Sequence, residues 1–175
     1  MAQFIIDKGM KTKIFKYIED NYREEEIDYS LTQNDDASFR TTPDWAKEIV
    51  SGQIKQHWRD DIIKYIDSKG ITDSEFYHRA HISKQTFNKI KNTSSYTPNK
   101  DTAFQICLGL KLNEKESVAL LEKIGYSFCT SNKRDLLIRG CIINKFYRVT
   151  LINDLLYEWG YKLFPNAEIP EDEIK

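Results

Sequence analysis

Four polar side chains within residues 84–91, KQTFNKIK, have the types and spacing to read the edges of base pairs: Lys84, Gln85, Asn88 and Lys91. On a helix they fall along one side, while Phe87 and Ile90 fall on the other as a short apolar stripe. Gln and Asn each carry a donor and an acceptor that match the major-groove edge of adenine. Lys can reach guanine or a phosphate. The chemistry available here is hydrogen bonding to a nucleic acid, with no bond made or broken.

Such a helix needs a scaffold, and the flanking residues supply one. Thr72 is positioned to cap a helix through Ala80, with Glu75 three residues on as a capping box. Ser83 caps the next helix over 84–91. Phe76 and Ala80 face inward from the first helix, and Ile82 in the turn "HIS" plugs the gap between the two. The polar loop "NTSSYT" follows. Together with the amino end of a helix capped by Asn99, at Asn99–Lys100, it can hold a backbone phosphate.

The rest of the chain reads as helices with short links. Ile14, Ile18 and Tyr22 recur at helical spacing, so 11–22 should be amphipathic. Its early lysines and late acids oppose the helix dipole, which leaves it dependent on packing. Residues 23–41 read as an acidic loop or irregular arm. Thr42 and Pro43 open a further helix bearing Trp45, Ile49 and Val50. Trp58, Ile62, Tyr65 and Ile66 form a stripe that Gly70 ends. The helix from Asn99 runs to Leu110, with Ala103, Phe104, Cys107 and Leu108 buried. Asn113 and Glu116 open another, striped by Val118, Leu121 and Ile124 and ended by Gly125. A helix over 133–144 is rich in Leu and Ile. A last helix, capped by Thr150, carries Leu151, Ile152, Leu155, Leu156 and Trp159 on a face wide enough to require burial, here or on a second subunit. The tail "PEDEIK" reads as frayed. No strand is apparent, so the fold class is all-α.

Composition narrows the function classes. The 175 residues are 40% hydrophobic and 30% charged, with only 7 Gly and 4 Pro, as suits a folded helical protein. The net charge of −1 is unevenly spread. Residues 1–50 hold seven basic and eleven acidic side chains, and residues 70–112 hold six and three. The middle is mildly basic, weak for binding by electrostatics alone. Cys107, Cys129 and Cys141 fit neither a zinc site nor a disulfide framework, so no metal and no cofactor is expected. His78 and His81 straddle a helix end without a Cys partner, and no nucleophile–base set stands out, so an enzyme is not expected. No apolar run suggests a signal peptide or membrane span, which points to a cytoplasmic protein.

Residues 57–124, with the motif "TDSEFYHRAHISKQTFNKIKN", then Pro98 and "DTAFQICLGLKLNEKE", resemble the lambda-repressor/Cro-type helix-turn-helix domain. The resemblance implies a five-helix bundle over residues 51–128. Residues 1–50 would then be an acidic helical N-terminal extension, and residues 129–175 a C-terminal helical extension offering a dimer surface. It also implies a double-stranded DNA partner and a transcription regulator of repressor type. Base contacts would come from Lys84, Gln85 and Asn88. Phosphate contacts would come from Thr72, Ser83, Lys89, Lys91, Asn92, Ser94, Tyr96, Asn99 and Lys100. A homodimer would read two half-sites. The pattern departs from the family at three places. Asp73 stands where Gln is usual, Tyr77 where Ala is usual, and His81 where Gly is usual. Bundles of this type also serve as protein-docking or antitoxin-like modules, the competing expectation.

Overall fold

The computed structural model describes residues 7–24 and 57–165. Among these there are eight helices and no strand. They are α1 (Lys8–Asn21), α2 (His57–Ser68), α3 (Asp73–Ala80), α4 (Lys84–Asn92), α5 (Lys100–Gly109), α6 (Glu114–Ile124), α7 (Lys133–Ile143) and α8 (Val149–Glu158). The all-α expectation holds for this part of the chain. The helix expected from Thr42, most of the acidic arm and the terminal tail lie outside the described residues. No described helix is long and apolar enough to cross a membrane.

Helix α5 is the centre. Every residue from Thr102 to Leu110 is buried, so it needs neighbours on all sides. Helices α3, α6 and α8 supply them. Phe104 also stacks on Phe128 of the α6–α7 link, with ring centroids 5.2 Å apart. Two of the buried α5 residues are polar, Thr102 and Gln105, and Gln105 is only 1% exposed. Its amide donates to the carbonyls of His81 and Pro165, both at 3.1 Å, so its burial leaves no donor stranded.

The closest crossing is between α3 and α5. A Cβ placed on Gly109 would stand 2.6 Å from the Ala80 Cβ and 2.8 Å from its Cα. The two backbones can approach this far only without a side chain at 109. Helix α1 meets α7 in a similar way. A Cβ on Gly140 would come within 3.1 Å of the Tyr17 ring and 3.6 Å of Ile14. Two terms could hold α1 in place. The Lys11–Glu158 ion pair, at 2.5 Å, is substantially exposed and contributes at most about 1 kcal/mol. Ile14 and Ile18 are buried, and each adds about 1.5–3 kcal/mol. Packing therefore fixes this helix, against the dipole of its own charges. Asp7 caps its start by accepting from the Gly9 amide.

Helix α8 corrects one expectation and decides between the alternatives of another. It starts at Val149 with Arg148 at the cap position, so Thr150 is an exposed residue inside its first turn and caps nothing. Its apolar face is filled from within the chain. Val149, Ile152, Leu155 and Leu156 are buried against α5 and α7, and Phe164 closes over them. Asn153 holds that closing segment, accepting from the Phe164 amide at 2.8 Å and donating to its carbonyl at 3.2 Å. Of the two expected ways to bury this face, within the chain or on a second subunit, the first applies to these four residues.

Gly109→Ala should lower the unfolding free energy by about 1–3 kcal/mol through overpacking, read as a lower urea midpoint. Unchanged stability would mean that α3 and α5 can part without loss.

Candidate nucleic-acid interface

The segment 72–92 forms as its sequence predicts. The Thr72 hydroxyl accepts from the Glu75 amide at 3.1 Å, and Glu75 accepts from the Thr72 amide at 2.8 Å, closing the capping box. The Thr72 amide and hydroxyl together hold the Glu75 carboxyl below its ordinary range. At the far end of α3 the Ile82 amide reaches back to the Tyr77 carbonyl at 3.1 Å. This brings the buried Ile82 between the two helices. Ser83 then caps α4, accepting from the Thr86 amide at 3.0 Å. Phe76 and Phe87 meet edge to face at 5.2 Å, and Ile90 is buried beside them.

The three departures from the repressor pattern each have a structural resolution. Tyr77 is buried, with its ring 6.2 Å from Phe87 and its phenol oxygen accepting from Ser74 at 3.2 Å. It packs inward against Phe87 of α4. The close approach at Ala80 is made to Gly109 of α5 and not to α4. His81 adopts the left-handed conformation, with φ 53° and ψ 37°. Burial, and secondarily His78, pushes its imidazole pKa down. Asp73 forms an ion pair with Lys91 at 2.8 Å.

The outer side of α4 is open. Lys84, Gln85 and Asn88 are exposed, as are Lys89 and Asn92. Lys84, Gln85, Asn88 and Lys89 have no side-chain hydrogen-bond or ion-pair partner among the described residues. The three residues expected to face bases thus share one face.

The expected phosphate contacts divide into three groups. Thr72, Ser83 and Asn99 act as helix caps, Asn99 accepting from the Thr102 amide at 2.8 Å. Lys91 and Lys100 are paired. Lys100 contacts Asp135, a buried carboxylate that also accepts from the Cys129 amide at 2.9 Å, and so ties the start of α5 to the start of α7. Lys89, Asn92 and Ser94 are exposed, while Tyr96 is half-buried.

Arg59 is the residue that sequence reading missed. Its guanidinium donates to the Ser94 carbonyl at 3.0 Å and the Tyr96 carbonyl at 2.5 Å. It lies 4.9 Å over the Trp58 ring. The polar loop is thereby clamped to α2. A lone Arg beside Trp on a helix stripe carries no local sign of a target 35 residues away.

No other chemistry gathers here. Among the described residues no group of three His, Cys, Asp or Glu side chains could hold a metal ion. Cys107 and Cys141 are buried core thiols. Burial pushes Cys107 up to about 12 and Cys141 upward as well. Burial thus disfavours the thiolate form of both.

Backbone conformation at 81 predicts two opposite substitution effects. His81→Gly removes left-handed strain of about 1–2 kcal/mol and loosens the unfolded chain by about 0.4–1 kcal/mol, so stability should hold or rise. His81→Val, β-branched, should lose at least about 1 kcal/mol. Urea unfolding checks both, and a tolerated valine would show that left-handed strain does not limit stability there. No protein-family model, curated protein or solved structure matches this chain.

Proposed function

We propose that the chain is a non-catalytic, sequence-specific DNA-binding regulator of the lambda-repressor/Cro type, working in the cytoplasm. Helices α2–α6 would be its five-helix unit, and α4 would lie in the major groove. The observation that carries this reading is the outer face of α4. Lys84, Gln85 and Asn88 stand exposed and unengaged, while the opposite side is locked by Phe87, Ile90 and a capped turn. In this reading Gln85 and Asn88 pair with adenine edges, and Lys84 reaches guanine. Lys89, Asn92 and Ser94 hold the backbone. One such helix reads a half-site, so a homodimer is part of the proposal. Its contact surface would lie outside the core face of α8. Phe15 and Tyr157 are exposed large hydrophobics available for it.

A second reading, a protein-docking or antitoxin-like module, is favoured by one observation. Two of the lysines expected at phosphates, Lys91 and Lys100, are neutralised by Asp73 and Asp135. The two readings differ in salt dependence. Each phosphate neutralised contributes about 0.9 to the slope of log affinity against log salt, whereas docking through Gln85 and Asn88 alone would be nearly flat.

The paired substitution Lys84→Ala with Gln85→Ala should abolish specific binding to DNA from the gene's own upstream region while the helical circular dichroism stays unchanged. Asp73→Gln should free Lys91 and raise affinity several-fold, steepening the salt slope by about one. A footprint indifferent to the paired substitution would remove α4 as the reading helix. Affinity indifferent to salt would favour docking.

A further inference from the structure

Six described helices end in the same way, with the chain turning back through a left-handed residue. At α2, α6 and α8 that residue is glycine: Gly70, Gly125 and Gly160. At α3, α5 and α7 it is His81, Lys111 or Lys145, with φ of 53°, 50° and 59°. These three are the only non-glycine residues with positive φ among the described residues. The closing hydrogen bond is equivalent in each case. Leu112 donates to Cys107 and Phe146 to Cys141, as Ile82 does to Tyr77. Glycine would satisfy the backbone at all six without strain. The strained residues are not scattered. All three line one cleft of about 430 Å³.

The cleft is cationic. Arg79, Lys111, Lys145 and Arg148 reach it, and no carboxylate lines it among the described residues. Lys111 and Lys145 have no hydrogen-bond or ion-pair partner among the described residues. Arg79 is only 4.0 Å from Glu75, at the limit of an ion pair. Leu108, Tyr147 and Val149 give the cleft an apolar part. Three helix C-termini converge here, each worth roughly half a negative charge. Their closing hydrogen bonds cap them, and the two full charges of Lys111 and Lys145 outweigh them. Favourable pairing of Lys and His with a helix C-terminus does not explain the choice, because α2, α6 and α8 present the same dipole and use glycine. Strained residues that gather at one concavity mark a place where the side chain is needed.

We infer that this cleft binds a small organic phosphate, with the phosphate held by Lys111 and Lys145 and the organic part against Tyr147, Leu108 and Val149. Its volume suits a ligand of mononucleotide size. The two ammonium groups suit a doubly charged oxyanion. The cleft borders the start of α4 through His81, but none of Lys84, Gln85 and Asn88 lines it. It does not depend on the DNA-binding proposal.

The test is isothermal titration of the full chain with AMP, and with adenosine as the uncharged counterpart. The expected result is saturable AMP binding, at least tenfold tighter than adenosine. In Lys111→Gly with Lys145→Gly it should weaken at least tenfold, while the melting temperature stays level or rises because strain is removed. Lys111→Gln with Lys145→Gln, which keeps a side chain at each left-handed position but no charge, should lose binding equally. Three results would overturn the inference: no saturable AMP binding, equal binding of AMP and adenosine, or full binding by both double variants. Duplex DNA competing with AMP, and lost together with it in the double-glycine variant, would also overturn it, because the cleft would then be a nucleic-acid surface. Loss of DNA binding on substituting Lys84 and Gln85, with AMP binding intact, separates the two sites.

Discussion

Helix α5 is buried along most of its length, and its closest neighbour is α3. The two meet at Gly109 and Ala80, where they approach until an added methyl would collide with backbone. Most of what could serve a function follows from that contact. It sets the position of α3, whose left-handed end at His81 sets the start of α4. It lets Gln105 reach the His81 carbonyl from inside α5. The same crossing leaves room for Tyr77 to fold inward one turn earlier, where a small residue would otherwise be expected.

The fold was legible in the sequence where its determinants are local. Thr72, Ser83, Asn99 and Asn113 each cap the helix they were expected to cap, and Gly70 and Gly125 end theirs in the left-handed conformation. Caps act over three or four residues, so a linear reading can find them. The same reading failed at α8. Thr150 is a better capping residue than Arg148, yet the helix begins earlier, because burying Val149 against the core outweighs a cap worth about 1 kcal/mol. A broad apolar face likewise shows that burial is needed but not by what. The segment ending in Phe164 answers this through Asn153, whose two hydrogen bonds could not be read from local pattern.

The candidate interface was legible to a similar depth. Exposure of Lys84, Gln85 and Asn88 follows from helical periodicity, because Phe87 and Ile90 fix which side is inside. The polar loop after α4 was visible as a loop. Its attachment was not, since Arg59 holds it through backbone carbonyls that carry no sequence identity. The cluster at the ends of α3, α5 and α7 was equally hidden. His81 stood out as a residue in a glycine position. Lys111 and Lys145 look like ordinary lysines until the three turns are found around one space.

Charge shows most clearly why a sum along the sequence misleads. The mildly basic middle of the chain suggested one weak positive surface. The fold divides those charges by pairing residues far apart in sequence, Asp73 with Lys91 and Lys100 with Asp135. Lys84 and Lys89 keep their charge on α4. Arg79 and Lys111 join Lys145 and Arg148 at the other end of α5, although the last two come from a segment with no basic excess. A carboxylate cancels a lysine only when within a few ångströms of it, or when both share a poorly screened interior. Asp135 meets both conditions, buried and in contact with Lys100, so that charge serves to join α5 to α7 and is withdrawn from the surface. Asp73 meets only the first, because its pair with Lys91 is half exposed and contributes little to stability. A strong external anion can therefore compete for Lys91 but not for Lys100, which makes α4 and its neighbouring loop, rather than the amino end of α5, the adjustable part of the basic surface.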